Sequence, residues 1–116
     1  MPKQKKDSQS KIVHTVLFAL NNNSDAAQKK FIAASEKFLA AYPGVKSFLV
    51  GARAKDYAGD VNDVTFDVAL HAIFKNKADY DTYITSKPHV KFIKKYQSHW
   101  KAVRVVDVYV VPAKLS

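Results

Sequence analysis

Three stretches of this chain read as β-strands that are apolar on both faces, and a sheet built from them has no side to leave in water. The first runs from Ile12 to Leu20. Ile12, His14, Val16, Phe18 and Leu20 fall on one face, and Val13, Thr15, Leu17 and Ala19 on the other. Val64–Phe74 sets Val68, Leu70, Ala72 and Phe74 against Ala69 and Ile73, with His71 on the second face. Val103–Val111, closed by Pro112, sets Val106, Val108 and Val110 against Val103, Val105 and Tyr109. Antiparallel sheets commonly keep one polar face for solvent. This pattern demands cover on both.

Between the strands lie two helical regions. Ser24 or Asp25 caps the first, with Gln28 as a capping-box partner three residues after Asp25. Phe31, Ala34, Phe38 and Ala41 recur there at helical spacing, widened by Leu39 and Tyr42, until Pro43-Gly44 stops the helix. Val45–Ala52 is a further strand, followed by a polar loop from Lys55 to Asp63. The second helical region is split. Asn76–Thr85 ends at Lys87-Pro88, because proline disfavours helical geometry in the residue before it. A new piece starts near Pro88, with His89, Phe92, Ile93, Tyr96 and Trp100 as its apolar stripe. The order β-α-β-β-α-β predicts an α+β, ferredoxin-like domain with a four-stranded antiparallel sheet and its helices on one face. Two helices cover one face only. A second copy of the chain is the simplest cover for the other, which makes Val13, Leu17, Ala69, His71 and Ile73 the expected dimer interface.

The 116 residues suit one domain, taken as residues 11–116 behind a basic tail over residues 1–10. The net charge of +9 first suggests nucleic acid. Much of it sits in that tail and in Lys91, Lys94, Lys95 and Lys101, on what reads as a wet helix face. An RNA-binding sheet of this topology would carry glycines and exposed aromatics in strand three, and Val64-Thr65-Phe66-Asp67-Val68-Ala69-Leu70 has neither. No nucleic-acid partner is expected. The basic start followed by Ile12–Leu20 imitates a secretory leader, but His14 and Thr15 interrupt it and no small-residue cleavage site follows. No stretch is long and apolar enough for a membrane span, so no membrane partner is expected. The absence of cysteine removes disulfides and thiolate chemistry and suits a cytoplasmic protein.

His14-Thr15-Val16-Leu17-Phe18, Pro43-Gly44-Val45 leading to Gly51, Asp67-Val68-Ala69-Leu70, and above all Tyr83 through Pro88-His89-Val90 resemble the stress-responsive α/β-barrel (Dabb) domain. The likeness runs from about Lys11 to Pro112. It implies a ferredoxin-like monomer that pairs sheet to sheet into a dimeric α+β barrel. Most members of that family have no assigned activity. The resemblance to a plant polyketide cyclase of the family implies a pocket between sheet and helices. In that enzyme a tyrosine and a histidine do acid–base work, and they match Tyr83 and His89. Its pocket aromatics match Phe92 and Trp100, and its strand-one histidine matches His14. A histidine in the cyclase's helix break has no counterpart near Ser86-Lys87, and an aromatic residue of its first helix becomes Ser35.

The residues themselves leave two readings open. His89 lies in the first turn of a helix, where the positive dipole end and burial both favour neutral imidazole, a competent general base near pH 7. Tyr83 could orient it or hydrogen-bond a substrate carbonyl. In the plainer reading, Tyr83 packs under the break and His89 caps the helix. His14, Val16, Phe18, Ile32, Leu70, Ile84, Phe92 and Trp100 are the expected pocket lining, and they serve equally well as core. His14 alone on an apolar face reads first as a hydrogen-bonded core histidine, and His99 falls at the edge of its helix's stripe. The four histidines divide between the sheet faces and the helix, so neither a metal site nor any other cofactor is expected. The function so read is a homodimer with a small apolar pocket and no assigned activity. The alternative is a cofactor-free cyclase, lyase or isomerase using His89 and Tyr83 on a carbonyl-containing, polyketide-like substrate.

Overall fold

The computed structural model describes residues 10–111. The basic tail up to Gln9 and the strand-ending Pro112 lie outside those residues. The order is β1 (Lys11–Leu20), α1 (Asp25–Ser35), β2 (Val45–Ala52), β3 (Val68–Phe74), α2 (Lys77–Ile84), α3 (Lys87–Tyr96) and β4 (Trp100–Val110). The four strands form one antiparallel sheet in the order β2-β3-β1-β4. This is the ferredoxin-like arrangement, with β3 and β1 in the centre of the sheet and β2 and β4 at its edges.

Strand alternation decides what each face carries. Ile12, His14, Val16, Phe18 and Leu20 of β1, and Val68, Leu70, Ala72 and Phe74 of β3, are buried towards the helices. Phe31 and Leu39 from the first helical region and Tyr83 and Phe92 from the second complete the core. Val13, Thr15, Leu17, Ala69, His71 and Ile73 lie on the other face, where they are half-buried. There the sheet is less uniformly apolar than its sequence implies. Thr15 and His71 hydrogen-bond across strands at 2.9 Å, and Arg104 pairs with Asp63 of the β2–β3 loop.

Several boundaries differ from expectation, each for a local reason. β3 begins at Val68 and not at Val64. Asp63 turns the chain by accepting from both the backbone N–H and hydroxyl of Thr65. Asp67 then spends its carboxylate on the Leu20 N–H at 2.7 Å. Ser24 caps α1 by accepting from Ala27 N–H, so Asp25 is the first helical residue. Gln28 makes no capping box. Its side chain is buried and donates to the Asn23 carbonyl at 2.9 Å. α1 continues into a π-helical turn over Glu36–Ala40. The wider turn advances the buried stripe to Phe31, Ser35 and Leu39, leaving Phe38 and Ala34 half-buried and Ala41 exposed. β4 starts at Trp100, three residues before the expected Val103. A 3₁₀ turn over Gln97–His99 ends the helical region, and Asn21 pins it by donating to the Ser98 and His99 carbonyls. Trp100 therefore belongs to a strand, opposite Leu20 at a register shift, and not to a helical stripe.

Candidate ligand and proton-transfer site

Each half of the broken second helical region starts from its own side-chain cap. Asn76 accepts from Asp79 N–H to start α2. Ser86 starts α3, with Pro88 in its first turn. The Ser86 hydroxyl donates to the Tyr83 carbonyl at 2.6 Å and accepts from the His89 N–H at 3.4 Å. One side chain thus ties the two residues across the break. Their rings meet with centroids 4.8 Å apart and planes at 57°, and no hydrogen bond joins them directly.

Both rings face a cavity of about 260 Å³ between helices and sheet. His14, Val16, Phe18, Leu70, Tyr83, Ile84, His89, Phe92 and Trp100 line it together. Ile32 does not. It is half-buried and packs against the core instead. Five further residues complete the wall: Leu39 from the π-turn, Tyr80, Ile93, Val103 and Val105. The wall carries no lysine, arginine, aspartate or glutamate. A larger hollow of about 520 Å³ lies between the start of α1 and the 3₁₀ turn. Its lining is mostly exposed turn residues such as Asn21, Asn22, Ser98 and His99. The smaller cavity is the better candidate because polar groups converge on it.

Two buried polar atoms of its wall, Nδ1 of His89 and Nε1 of Trp100, have no hydrogen-bond partner among the described residues. Such atoms are uncommon in folded proteins and carry a desolvation cost. The His89 pKa is held below its usual value, chiefly by burial; the nearby Ile84 backbone opposes the effect and His14 adds to it. Burial raises the pKa of Tyr83, so its phenol stays protonated.

His14 has partners that its strand position did not announce. Register places it opposite Asp107 of β4. Its Nδ1 lies 2.7 Å from Asp107 Oδ1 and 2.9 Å from the Tyr80 hydroxyl, which in turn donates to Asp107 Oδ2 at 2.9 Å. Burial, then the Asp107 carboxylate, raises the Tyr80 pKa and keeps that phenol a donor. His99 is exposed and its ring lies tilted against Tyr96, outside the cavity wall. Among the described residues no group of three or more His, Asp or Glu side chains is arranged to hold a metal ion, and no helix is long and apolar enough to cross a membrane.

The family model of the stress responsive A/B barrel domain matches residues 12–110. A Dabb family protein of ferredoxin-like fold from Mesorhizobium loti superposes with a TM-score of 0.75 at 24% identity, covering 90% of this chain and all 100% of that one. A dimeric ferredoxin-like protein of unknown function from Thermobifida fusca gives 0.70 at 20% identity over 87% and 92%. Hydroxynitrile lyase from Passiflora edulis gives 0.71 at 19% identity over 92% and 99%. At these identities the likenesses show a shared fold. No curated protein sequence matches the chain.

Proposed function

Because the chain belongs to the stress-responsive A/B barrel (Dabb) domain family, we propose that it works as a homodimer whose protomers each bind a small, uncharged, carbonyl-bearing molecule in the sheet–helix cavity. One observation carries this reading. An apolar, aromatic wall without a formal charge presents two buried polar atoms, His89 Nδ1 and Trp100 Nε1, that lack partners. A ligand oxygen accepting from the indole N–H would relieve one of them. The cavity's 260 Å³ is roughly nine water volumes, below the range of about 300–1,000 Å³ common for drug-sized ligands. It suits a single ring with short substituents. The homodimer rests on the apolar outer sheet face and on relatives described as dimeric. A cytoplasmic setting fits a chain without cysteine.

The contact of Tyr83 with His89 at the cavity favours a second reading, proton transfer. His89, neutral near pH 7, would take a proton from the carbon next to the ligand carbonyl. The Tyr83 hydroxyl would hydrogen-bond the enolate oxygen that forms, and the proton would return from imidazolium to carbon. A lyase on the same fold is compatible with such chemistry.

Acetophenone tests both. Titration into ¹⁵N-labelled protein should give saturable shifts at cavity residues, and its methyl protons should exchange with deuterated solvent faster in the protein's presence. His89→Ala should slow that exchange by about 10²- to 10⁴-fold, and Tyr83→Phe by a similar or smaller factor with the fold intact. Failure to bind any small aryl ketone would overturn the ligand reading. Saturable binding with exchange no faster than in buffer would overturn proton transfer.

A further inference from the structure

Asp107, Tyr80 and His14 form a closed ring of hydrogen bonds, and counting its protons fixes the chemistry of the cavity wall. An ionised Asp107 can only accept. The Tyr80 phenol, kept protonated, donates its single proton to Oδ2 at 2.9 Å. The remaining 2.7 Å contact, between Oδ1 and His14 Nδ1, then needs a proton on Nδ1. The same N–H can share itself with the Tyr80 oxygen at 2.9 Å. A neutral His14 therefore carries its proton on Nδ1, and Nε2 holds a lone pair. Among the described residues both hydrogen bonds of the ring fall on Nδ1 and none on Nε2, and His14, only 5% exposed as a residue, lines the cavity.

We infer that Asp107 and Tyr80 are positioning residues that make His14 Nε2 an obligate hydrogen-bond acceptor inside the cavity. The indole N–H of Trp100 is an obligate donor on the same wall. A ligand satisfying both is an uncharged hydroxy-carbonyl compound, its carbonyl oxygen accepting from Trp100 and its hydroxyl donating to His14. This rests on the proposed ligand-binding role of the cavity and adds to it which second group the ligand carries. A site that can accept a hydroxyl proton discriminates strongly against analogues lacking one, because its own polar atom is otherwise left unpaired.

The test uses the full chain at pH 8 with 3- and 4-hydroxyacetophenone, their methyl ethers and acetophenone. Long-range ¹H–¹⁵N spectra, assigned with His14→Gln, should show His14 as the Nδ1–H tautomer. The better hydroxylated isomer should bind roughly five- to tenfold more tightly than its methyl ether. In Asp107→Asn the amide oxygen takes the Tyr80 proton and the amide N–H₂ faces Nδ1. His14 should then switch to the Nε2–H tautomer, and the preference for the hydroxyl should vanish while acetophenone still binds. Should Asp107→Asn not fold, the wild-type spectrum and preference decide alone. An Nε2–H tautomer in the wild type, or equal binding of phenol and ether, overturns this inference and leaves acetophenone binding standing. If none of the ketones binds, the ligand-binding role falls and this inference with it.

Discussion

His89 is an imidazole whose surroundings resist its protonation. Burial is the main cause, and the nearby His14 and the positive end of α3 act in the same direction. The unfolded chain takes up a proton near the ordinary histidine pKa of 6.5, and the folded ring does so only at lower pH. The contribution of His89 to stability is thus fully present above 6.5 and is lost as pH falls through the lower, folded value. Thermal unfolding of wild type and His89→Gln between about pH 8 and 5 should give curves that converge on acidification, the wild type falling faster. Parallel curves would mean that the ring titrates freely in the folded protein. Tyr83 and His89 are legible in the sequence because they sit six residues apart across a Pro-marked break. The strand residues of the cavity wall are legible because alternation assigns faces. Asp107 and Tyr80 are not. They meet His14 across 93 and 66 residues of chain, through a register between β1 and β4 that sequence alternation leaves open. Asp107 looks like a polar interruption among valines, and Tyr80 like one more helix aromatic. Ile32 shows the converse error, an apolar helix residue near the right place that packs beside the cavity wall.

At the scale of elements, the broken second helix is the feature that brings Tyr83 and His89 to one cavity wall. An uninterrupted helix would carry Tyr83 and His89 six residues apart, 600° around its axis and 9 Å along it at the usual 3.6 residues per turn and about 1.5 Å per residue. The break lets both rings reach the same void, and Ser86 sets its geometry through its two hydrogen bonds. Ser86→Ala should cost about 1 kcal/mol in urea unfolding and also weaken acetophenone binding, whereas Ser86→Thr should restore most of both. An alanine variant with wild-type stability and binding would show that proline and packing fix the break without the cap. The break is announced by Lys87-Pro88. The π-turn after α1 is not, since Glu36–Ala40 carries no proline or glycine and the ordinary helical period fits it almost as well. Its effect is to bring Leu39 into the cavity wall. Trp100 is misassigned from sequence for a related reason. At i+11 from His89 it continues a helical stripe, and only the pinning of the 3₁₀ turn by Asn21 transfers it to a strand.

At the scale of the molecule, the face of the sheet opposite the helices is an apolar surface that nothing among the described residues covers. Leu49, Val106 and Val108 are 61%, 48% and 46% exposed there, beside half-buried Val13, Leu17 and Ile73. Large exposed apolar patches mark interaction surfaces, and a twofold partner presenting the same face would bury each residue in both copies. Leu17 stands at the centre, paired with Ala69 of β3 on one side and Arg104 of β4 on the other. A lysine at that position would meet Arg104 directly across the strand pair, where like charges destabilise, and would carry an unpaired charge into the proposed interface, a change costing about 3–5 kcal/mol where burial is complete. In the proposed twofold pairing that cost counts twice per dimer. Leu17→Lys should sediment as a monomer or aggregate at concentrations where the wild type is a dimer. Val61→Lys, at a loop position 98% exposed, should leave the dimer intact. A wild-type chain that sediments as a stable monomer at micromolar concentration would refute the pairing, and the apolar face would then need a different partner.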